Sequence, residues 1–504
     1  MTVQISRSKR LILENTASCL AVACDEGEAG DVFAPGPLSD LDAALGGELR
    51  KLATAEKFKG KKGQTLSLTT LGKIPSQRLL LLGVGPRADV LAHDLRALAG
   101  RAVKSANGFG CPSLALVAPT SLSTGANAMD GLQAAAEGAL LGGYRFDKYL
   151  AEDKRTAATL AQIDLVGFEG DDAASEAALA RARNTATAVA RARDLVNEPA
   201  VAMTPTILAN VAEGLAKAAA IDITVLGLEE CRKENMGLFL AVAQGSAEPP
   251  RFIHMAYKPA NAKKRIVLVG KGVTFDSGGL SLKPNEGMLD MKVDMAGSAA
   301  VISAIAAVAA EKLPIEVHAL AACTENMPSG TAYRLGDVLR SKAGKTVEIN
   351  NTDAEGRLTL ADAITYGLAL KPDQIFDFAT LTGACVVALG PHIAGVMSNN
   401  KPLADAWLDA AKAAGEEMWP LPLPERLTDM LRSEVADMRN TGERWGGALT
   451  AGLFLKTFVG DTPWVHVDIA GPATADKDAG HTSKGGTGFA VSTILTYLRR
   501  IASV

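Results

Sequence analysis

The chain has 504 residues, 48% of them hydrophobic and 21% charged, and a formal net charge of −4 at pH 7. That length exceeds what one hydrophobic core usually holds, so we expect at least two domains. The composition is typical of a globular protein rather than a disordered or membrane protein, and the acidic balance argues against general attraction to nucleic acid or anionic lipid.

The cysteines and histidines limit the kinds of metal site that the chain can build. Its six cysteines are scattered without a CxxC pair, which predicts buried, reduced thiols and a reducing compartment. Its six histidines show neither HxxxH nor HxH spacing, so a metal site would have to be built mainly from oxygen ligands. No apolar stretch approaches the roughly 18 residues of a membrane span, and we expect a cytoplasmic protein without a membrane partner.

Residues 1–170 predict an N-terminal α/β domain in which strands alternate with helices. We expect helices at 91–106 and 126–141, and strands at 19–23, 66–70, 79–84, 114–117 and 163–168. Gly83-Val84-Gly85 follows one of these strands. The rest of a dinucleotide-binding fingerprint is absent, so a turn is favoured over a phosphate site.

A long alanine- and arginine-rich helix is predicted at 173–196, and Pro199 ends it. Its arginines are typical of a solvated helix face, so we take 171–199 as a connecting helix. Residues 200–504 then alternate again, with helices at 298–311, 358–370 and 403–413 and strands at 223–226, 252–256, 266–269, 317–321 and 375–378. The predicted fold class is α/β: two α/β domains, each a mostly parallel sheet flanked by helices, joined by a long helix.

Charged residues of the second domain gather where α/β sheets bind ligands, beyond the carboxyl ends of strands. The glycine-rich loop expected at 270–279 holds Lys271 and Asp276, directly after a predicted strand. Lys283 and Asp294 come soon after it. Taken singly, each residue is more typical of a turn, a helix start or a solvated side chain.

The segment 351–360 carries three charged residues at alternate positions, Asp353, Glu355 and Arg357. In an extended chain or a turn these side chains project to one side, and two carboxylates that close repel unless a proton or a metal lies between them. The same letters also fit a helix cap without chemistry, because Thr352 and Glu355 are spaced as in a capping box. These residues alone leave both interpretations open.

Seven segments carry a resemblance to a known family: 269–284 (VGKGVTFDSGGLSLKP), 291–300, 325–338, 351–363 (NTDAEGRLTLADA), 378–384, 440–459 and 463–473. They resemble the signature segments of the leucyl aminopeptidases, the cytosol aminopeptidase family, and cover nearly all of residues 190–504. Over residues 1–165 the resemblance rests on length, element order and fragments such as 137–149. Leu335, where the family pattern usually has proline, lies outside the residues expected at the site.

The resemblance implies a metal-dependent aminopeptidase that hydrolyses N-terminal residues, leucine and other apolar ones preferred, from peptides by means of a water that bridges two divalent metals. It implies five metal ligands, Lys271, Asp276, Asp294, Asp353 and Glu355. Asp276 and Glu355 would bridge the metals, while Lys271 and Asp294 would complete one site and Asp353 the other. Carboxylates favour manganese and the lysine amine favours zinc, so we expect Zn²⁺ or Mn²⁺.

Further roles follow from the resemblance alone. Lys283 would stabilise the oxyanion of the tetrahedral intermediate, and Arg357 would hold a bicarbonate ion that acts as general base. The substrate pocket would be lined by Met291, Thr380, Leu381, Gly383, Ala470 and Ala473. Members of the family assemble as hexamers, so we expect a homohexamer. The expected binding partners are peptide substrates.

Two functions of other classes stay open at this point. The same carboxylates would suit a dimetal phosphoesterase, although the lysine ligand and Lys283 favour acyl substrates. The other function is binding of nucleotide or DNA by the first domain. The acidic balance and the lack of a basic, aromatic stripe make nucleic acid an unfavoured partner without excluding it.

Overall fold

The computed structural model describes residues 3–26, 33, 36–155 and 158–503, and these form two compact units. The first unit comprises Met1–Thr187 and Lys477–Ser483, and the second comprises Ala188–Asp476 and Lys484–Val504. The helix Asp172–Asn197 contains the point at which the chain leaves the first unit.

The first unit is built on a six-stranded sheet. Its strands lie in the order Gln4–Ser8, Gln162–Val166, Ser113–Val117, Cys19–Glu26, Arg78–Pro86 and Thr65–Thr69. Neighbouring strands are parallel except at the last pair, which is antiparallel. The α-helices described before the long helix are Pro37–Ala44, Glu48–Ala55, Ala92–Gly108, Thr120–Ser123 and Ala128–Gly142.

Both faces of this first sheet are covered, as the run of leucines at 79–82 indicates. Leu80 and Leu82 join one apolar cluster, whereas Leu79 and Leu81 join another. Since successive side chains of a strand point to opposite faces, a continuous apolar run requires packing on both sides. The predicted sheet between layers of helices is confirmed for this unit.

The second unit is built on an eight-stranded mixed sheet. Its strands lie in the order Met418–Pro420, Ala394–Ser398, Trp464–Asp468, Gln374–Ala379, Arg265–Asp276, Glu316–Asn326, Arg251–Tyr257 and Asp222–Leu226. The four strands in the middle of this order, third to sixth, are parallel. The pairs next to them on either side and the last pair are antiparallel, whereas the first pair is parallel. The α-helices described here are Pro205–Ala219, Leu228–Lys233, Gly237–Ala243, Asn285–Met288, Ala296–Ala310, Gly356–Leu368, Gly383–Leu389, Lys401–Ala414, Gly447–Val459 and Val491–Ala502.

Three helices of the second unit begin two residues earlier than the apolar pattern predicts, at Ala296, Gly356 and Lys401. Each first turn contains a glycine or a proline, which sequence patterns treat as a break. Proline is nevertheless well suited to the first turn of a helix, and glycine is tolerated there.

The helix Ala296–Ala310 lies inside the second unit and is almost entirely buried. It belongs to a segment, Asn285–Ala310, that is long and apolar enough to cross a membrane, so the prediction that no apolar stretch approaches that length needs correction. However, 94% of the most apolar window of this segment is buried inside the protein, as is expected of the core helix of a soluble protein.

The strand Arg265–Asp276 corrects the prediction of a glycine-rich loop at 270–279. Its backbone stays in the sheet for 12 residues instead of leaving it after the predicted four. Gly270 has a packing role, since a Cβ atom there would lie 2.5 Å from backbone atoms of Gly297, at the start of the core helix. The glycine marks the close approach of a helix to a strand, not a loop.

Candidate metal centre

A bulge in the strand Arg265–Asp276 brings Lys271 and Asp276 to the same cluster of side chains. The two residues are five positions apart, and in a regular strand an odd separation points side chains to opposite faces. The pairing with the neighbouring strand shifts by one residue around Thr274. A one-residue bulge of this kind breaks the alternation, so both charged side chains reach one site.

Lys271 is buried with its ammonium between two carboxylates. Its Nζ lies 2.6 Å from Asp294 Oδ1 and 2.8 Å from Glu355 Oε1. It also donates to the carbonyl oxygen of Thr380 at 3.1 Å. Gly356 provides the space for this side chain, because a Cβ atom there would lie 2.6 Å from Lys271 Cε.

Asp276, Asp353 and Glu355 form a compact group of acids. Each offers one carboxylate oxygen, and these three atoms lie within 4.8 Å of one another. Nζ of Lys283 lies 2.9 Å from Asp276 Oδ2 and 2.5 Å from Asp353 Oδ1. Together with the contacts of Lys271, this brings the five proposed ligands and Lys283 into one network, while their roles stay a prediction.

The acids and lysines of this network shift one another's ionisation. Burial raises the pKa of Asp276, Asp294 and Asp353, and neighbouring carboxylates add to the rise while the lysines oppose it. Burial alone would lower the pKa of Lys271 and Lys283, but the carboxylates around them outweigh it and raise both. These directions are those of a site with an excess of buried negative charge.

Within this network, Asp294 Oδ2 and Glu355 Oε2 are buried without a hydrogen-bond partner among the described residues, and Asp353 Oδ1 has only its ion pair with Lys283. An unsatisfied buried oxygen costs free energy unless something else binds it. Oxygen donors this close together, beside a lysine that becomes a ligand once it is deprotonated, suit a divalent cation. The donor set therefore fits the kind of metal site that the sequence predicts.

The competing prediction of a helix cap without chemistry is contradicted by the contacts of Thr352. The helix Gly356–Leu368 has Glu355 at its N-cap and no side-chain cap. Thr352 Oγ1 instead donates to the carbonyl oxygen of Gly278 at 2.7 Å and accepts from the amide of Ser281 at 2.8 Å. Thr352 thus ties together the two segments that carry the acids.

Arg357 is buried near the acids, and its Nη1 donates to the carbonyl oxygen of Asn440 at 2.7 Å. Its Nε has no hydrogen-bond partner in the described part of the chain. Burial lowers the pKa of Arg357 to about 10, against the opposing effect of Glu355 and Asp468. A buried guanidinium with a donor to spare suits a small anion.

Of the six residues predicted to line a substrate pocket, Thr380 contacts one of the acids and Met291 belongs to the same short helix as that acid. The hydroxyl of Thr380 donates to Asp294 Oδ1 at 2.7 Å. Met291 opens the 3₁₀ helix Met291–Met295, which carries Asp294. Thr380 therefore adjoins a proposed ligand, and Met291 lies three residues before it in the chain.

The other four pocket residues divide into two pairs. The amides of Leu381 and Ala470 both donate to Asp468 Oδ1 at 3.1 Å, which draws their two segments together. Gly383 is exposed at the start of the next helix, and Ala473 is only 2% exposed. No described contact joins Gly383 or Ala473 to the acids.

Two residues that position this centre, Asn326 and Asp468, have no pattern in the sequence that indicates their role. Asn326 Nδ2 donates to Asp276 Oδ1 at 2.8 Å, and Asp468 Oδ2 accepts from the hydroxyl of Thr382 at 2.7 Å. Both lie in segments that carry the family resemblance. They act through hydrogen bonds to other site residues, and such partners leave no characteristic spacing.

Two models of the cytosol aminopeptidase family match the chain, that of the catalytic domain at residues 190–495 and that of the N-terminal domain at residues 21–153. The chain belongs to the cytosol aminopeptidase family. It is 42% identical over 501 residues to a probable cytosol aminopeptidase of Geobacter sp. (strain M21), covering 99% of this chain and 100% of that protein. A probable cytosol aminopeptidase of Persephonella marina is 44% identical over 464 residues, covering 92% and 93%.

Solved structures share the fold of this chain. A mutant of tomato leucine aminopeptidase matches with a TM-score of 0.89 at 35% identity, covering 99% of this chain and 97% of that one. The bottromycin maturation enzyme BotP in complex with Mn matches with a TM-score of 0.84 at 35% identity, covering 96% and 100%. As a member of this family the protein is a metallo-aminopeptidase, an exopeptidase of the hydrolase class.

Proposed function

We propose that this protein removes leucine and other apolar residues from the N-termini of peptides at the network around Lys271, with two divalent cations bound there. The observation that carries the proposal is the pair of buried oxygens on Asp294 and Glu355 that have no hydrogen-bond partner in the part of the chain that the structure describes. Most buried polar atoms of a protein have a hydrogen-bond partner, so two unsatisfied carboxylate oxygens in one cluster support a bound cation. Zinc and manganese are the proposed ions, and the Mn complex of the relative BotP supports manganese.

Five residues are proposed to hold the cations. Asp276 and Glu355 would bridge them, Lys271 and Asp294 would complete one site, and Asp353 would complete the other. Four carboxylates supply the negative charge that two dications need, provided that Lys271 is a neutral amine. The position of the Lys271 ammonium between Asp294 and Glu355 supports this assignment, because it occupies a place where positive charge is required.

When bound, the cations would polarise the scissile carbonyl group and activate a water molecule. Lys283 would add a positive charge at the edge of this network, where its Nζ lies 2.9 Å from Asp276 Oδ2 and 2.5 Å from Asp353 Oδ1. The Lys283 side chain is 16% exposed, whereas that of Lys271 is 3% exposed. Of the two lysines, Lys283 is therefore the one accessible to a peptide, and it would stabilise negative charge that develops on the carbonyl oxygen.

Arg357 is proposed to hold a bicarbonate ion that serves as general base. The guanidinium is buried, and its Nε has no hydrogen-bond partner among the described residues. Both observations support a bound anion at this point. The network contains no histidine among the described residues, so a proton acceptor has to be supplied in another way.

The proposed substrate pocket is lined by Met291, Thr380, Leu381 and Ala470, with Gly383 and Ala473 completing the set. The contacts of Thr380 with Asp294, and of Leu381 and Ala470 with one aspartate, support the first four. An apolar pocket discriminates by only about 1–3 kcal/mol per methylene group, so several apolar N-terminal residues would be accepted.

We also propose that the protein is a cytoplasmic homohexamer. The family resemblance supports both statements. Sedimentation velocity separates a hexamer from the single 52.3 kDa chain and from smaller assemblies.

Hydrolysis of leucine p-nitroanilide tests the proposed function. We expect activity that a chelator abolishes and that Mn²⁺ or Zn²⁺ restores. N-acetyl-leucine p-nitroanilide is the matched control, because acetylation removes the free amine that an exopeptidase requires. Activity that survives chelation, or equal hydrolysis of the acetylated compound, would contradict the proposal.

A further inference from the structure

The first unit contains a cavity of about 170 Å³ at the carboxyl end of the strand Arg78–Pro86. Its lining includes Val84 from this strand and Ala97, Leu98 and Arg101 from the helix Ala92–Gly108. All of its lining residues belong to the first unit. The carboxyl end of a parallel strand is where α/β sheets commonly bind ligands.

Arg101 supplies the cavity with a guanidinium whose described contacts leave hydrogen-bond donors unused. Its described hydrogen bond is a long one, from Nη2 to the carbonyl oxygen of Gly83 at 3.3 Å. No carboxylate of the described residues forms an ion pair with it, and burial lowers its pKa. A partly buried guanidinium of this kind suits a ligand carboxylate, which it can bind through two donors.

Asp94 supplies an anion on the same helix. Its side chain is 10% exposed, and it pairs at 2.7 Å with Lys62, whose side chain is 72% exposed. Such an ion pair with an exposed lysine contributes little stability, so a ligand ammonium can take the place of Lys62. Asp94 also accepts from the amide of Leu91 at 2.9 Å, which fixes its position.

Asp94 and Arg101 are seven residues apart, so they lie on one face of the helix and about 10 Å apart along its axis. Side chains of a helix lean toward its N-terminus, so the long side chain of Arg101 can extend back toward Asp94 and shorten this gap. Between them the wall is apolar, with Leu98 1% and Val84 5% exposed. The cavity thus presents the Arg101 guanidinium, the ion pair of Asp94 with Lys62 and an apolar surface.

We propose that this cavity binds a free α-amino acid with an apolar side chain, its carboxylate on Arg101, its ammonium on Asp94 and its side chain against Leu98. The volume of the cavity is large enough for such an amino acid's side chain, because an apolar cavity of about 150 Å³ holds a benzene molecule. A nucleotide would be too large. This binding site goes beyond the proposed peptidase function, whose products are amino acids of the same class.

Equilibrium dialysis of radiolabelled leucine against the full chain tests the proposal. The Arg101→Gln variant loses a charge-assisted contact with the carboxylate of leucine. We therefore expect the wild-type protein to bind one more leucine per chain than the variant, or to bind leucine at this site at least about tenfold more tightly. Comparison with the variant isolates this site from any binding of product at the catalytic network. Equal stoichiometry and affinity in the two proteins would overturn the proposal.

Arg87→Gln is the matched control. Arg87 directly follows the strand Arg78–Pro86 and does not line the cavity. Its side chain is 67% exposed and pairs with Asp25. We expect wild-type leucine binding in this variant. Unchanged hydrolysis of leucine p-nitroanilide by Arg101→Gln would show that the variant is folded.

Asp94→Asn provides an independent arm if Arg101→Gln fails to fold. Asparagine can still cap the helix but cannot pair with an ammonium, so leucine should bind at least about tenfold more weakly. Isocaproate, which lacks the amine, should bind weakly both to the wild-type protein and to Asp94→Asn. Isocaproate or inorganic phosphate that displaces leucine from the wild-type site at leucine's own affinity would overturn the proposal, because the site would then recognise any small anion.

Discussion

Each unit of the protein buries a cluster of charges, and the two clusters differ in how fully they are satisfied. In the first unit, Arg96 Nε donates to Glu137 Oε2 at 2.8 Å and Gln133 Nε2 donates to Glu137 Oε1 at 2.9 Å, so both carboxylate oxygens are bonded. In the second unit, Asp294 and Glu355 each keep a buried oxygen without a partner among the described residues. Buried charge alone therefore does not distinguish the candidate metal centre. The difference lies in the two unsatisfied oxygens that lie close together beside Lys271.

Glu355→Gln should have the largest effect. It keeps the shape of the side chain and an acceptor for Lys271, but it removes a charge that we assign to both cations. We expect kcat/KM for leucine p-nitroanilide to fall by more than about 1000-fold, beyond the loss that follows removal of one oxyanion donor. A variant that loses stability but keeps its activity would contradict the assignment.

Glu137→Gln makes the matched change in the first unit, and we expect the opposite outcome. It removes the charge that faces the buried Arg96, which should lower the free energy of unfolding by about 3–5 kcal/mol. The kcat/KM of the folded protein should stay at the wild-type value. Urea unfolding followed by activity measurement checks both, and a folded variant without activity would remove the distinction between the two clusters.

Lys283→Met separates catalysis from binding within the second cluster. We expect kcat to fall by about 100- to 1000-fold with little change in KM, because the positive charge would act on the oxygen that becomes negative in the transition state. Lys283→Arg keeps the charge and should recover part of the loss. A rise in KM with kcat unchanged would assign Lys283 to substrate binding instead.

Asn326→Ala should have the smallest of these effects, since Asn326 contacts the acid Asp276 and no proposed ion. We expect metal affinity to fall by about 10- to 100-fold, as is usual when a partner that orients a ligand is removed. Metal titration by calorimetry checks this. Asn399→Ala is the control, because Asn399 is exposed and hydrogen-bonded elsewhere, and an equal loss there would count against a specific role for Asn326.

The fold class follows from the sequence because apolar runs and periodicities extend over many residues. The run of leucines at 79–82 is enough to predict a strand covered on both faces. Local signals mislead where glycine serves packing: Gly270 indicates a loop in the sequence, yet it lies in a strand that a helix approaches closely.

The candidate site is only partly predictable, because much of it depends on contacts between distant segments. Charged residues at alternate positions indicate Asp353 and Glu355. The bulge that brings Lys271 and Asp276 together arises from pairing with another strand, which no local pattern reveals. The role of Asn326 likewise exists only in the folded chain.

Diffraction at the manganese absorption edge, from crystals grown with Mn²⁺, tests the central claim most directly. We predict two anomalous peaks per chain within the network of Asp276, Asp353 and Glu355, with Lys271 Nζ bound to one of the ions. No peak there, with the Lys271 ammonium still paired to Asp294 and Glu355, would contradict the account.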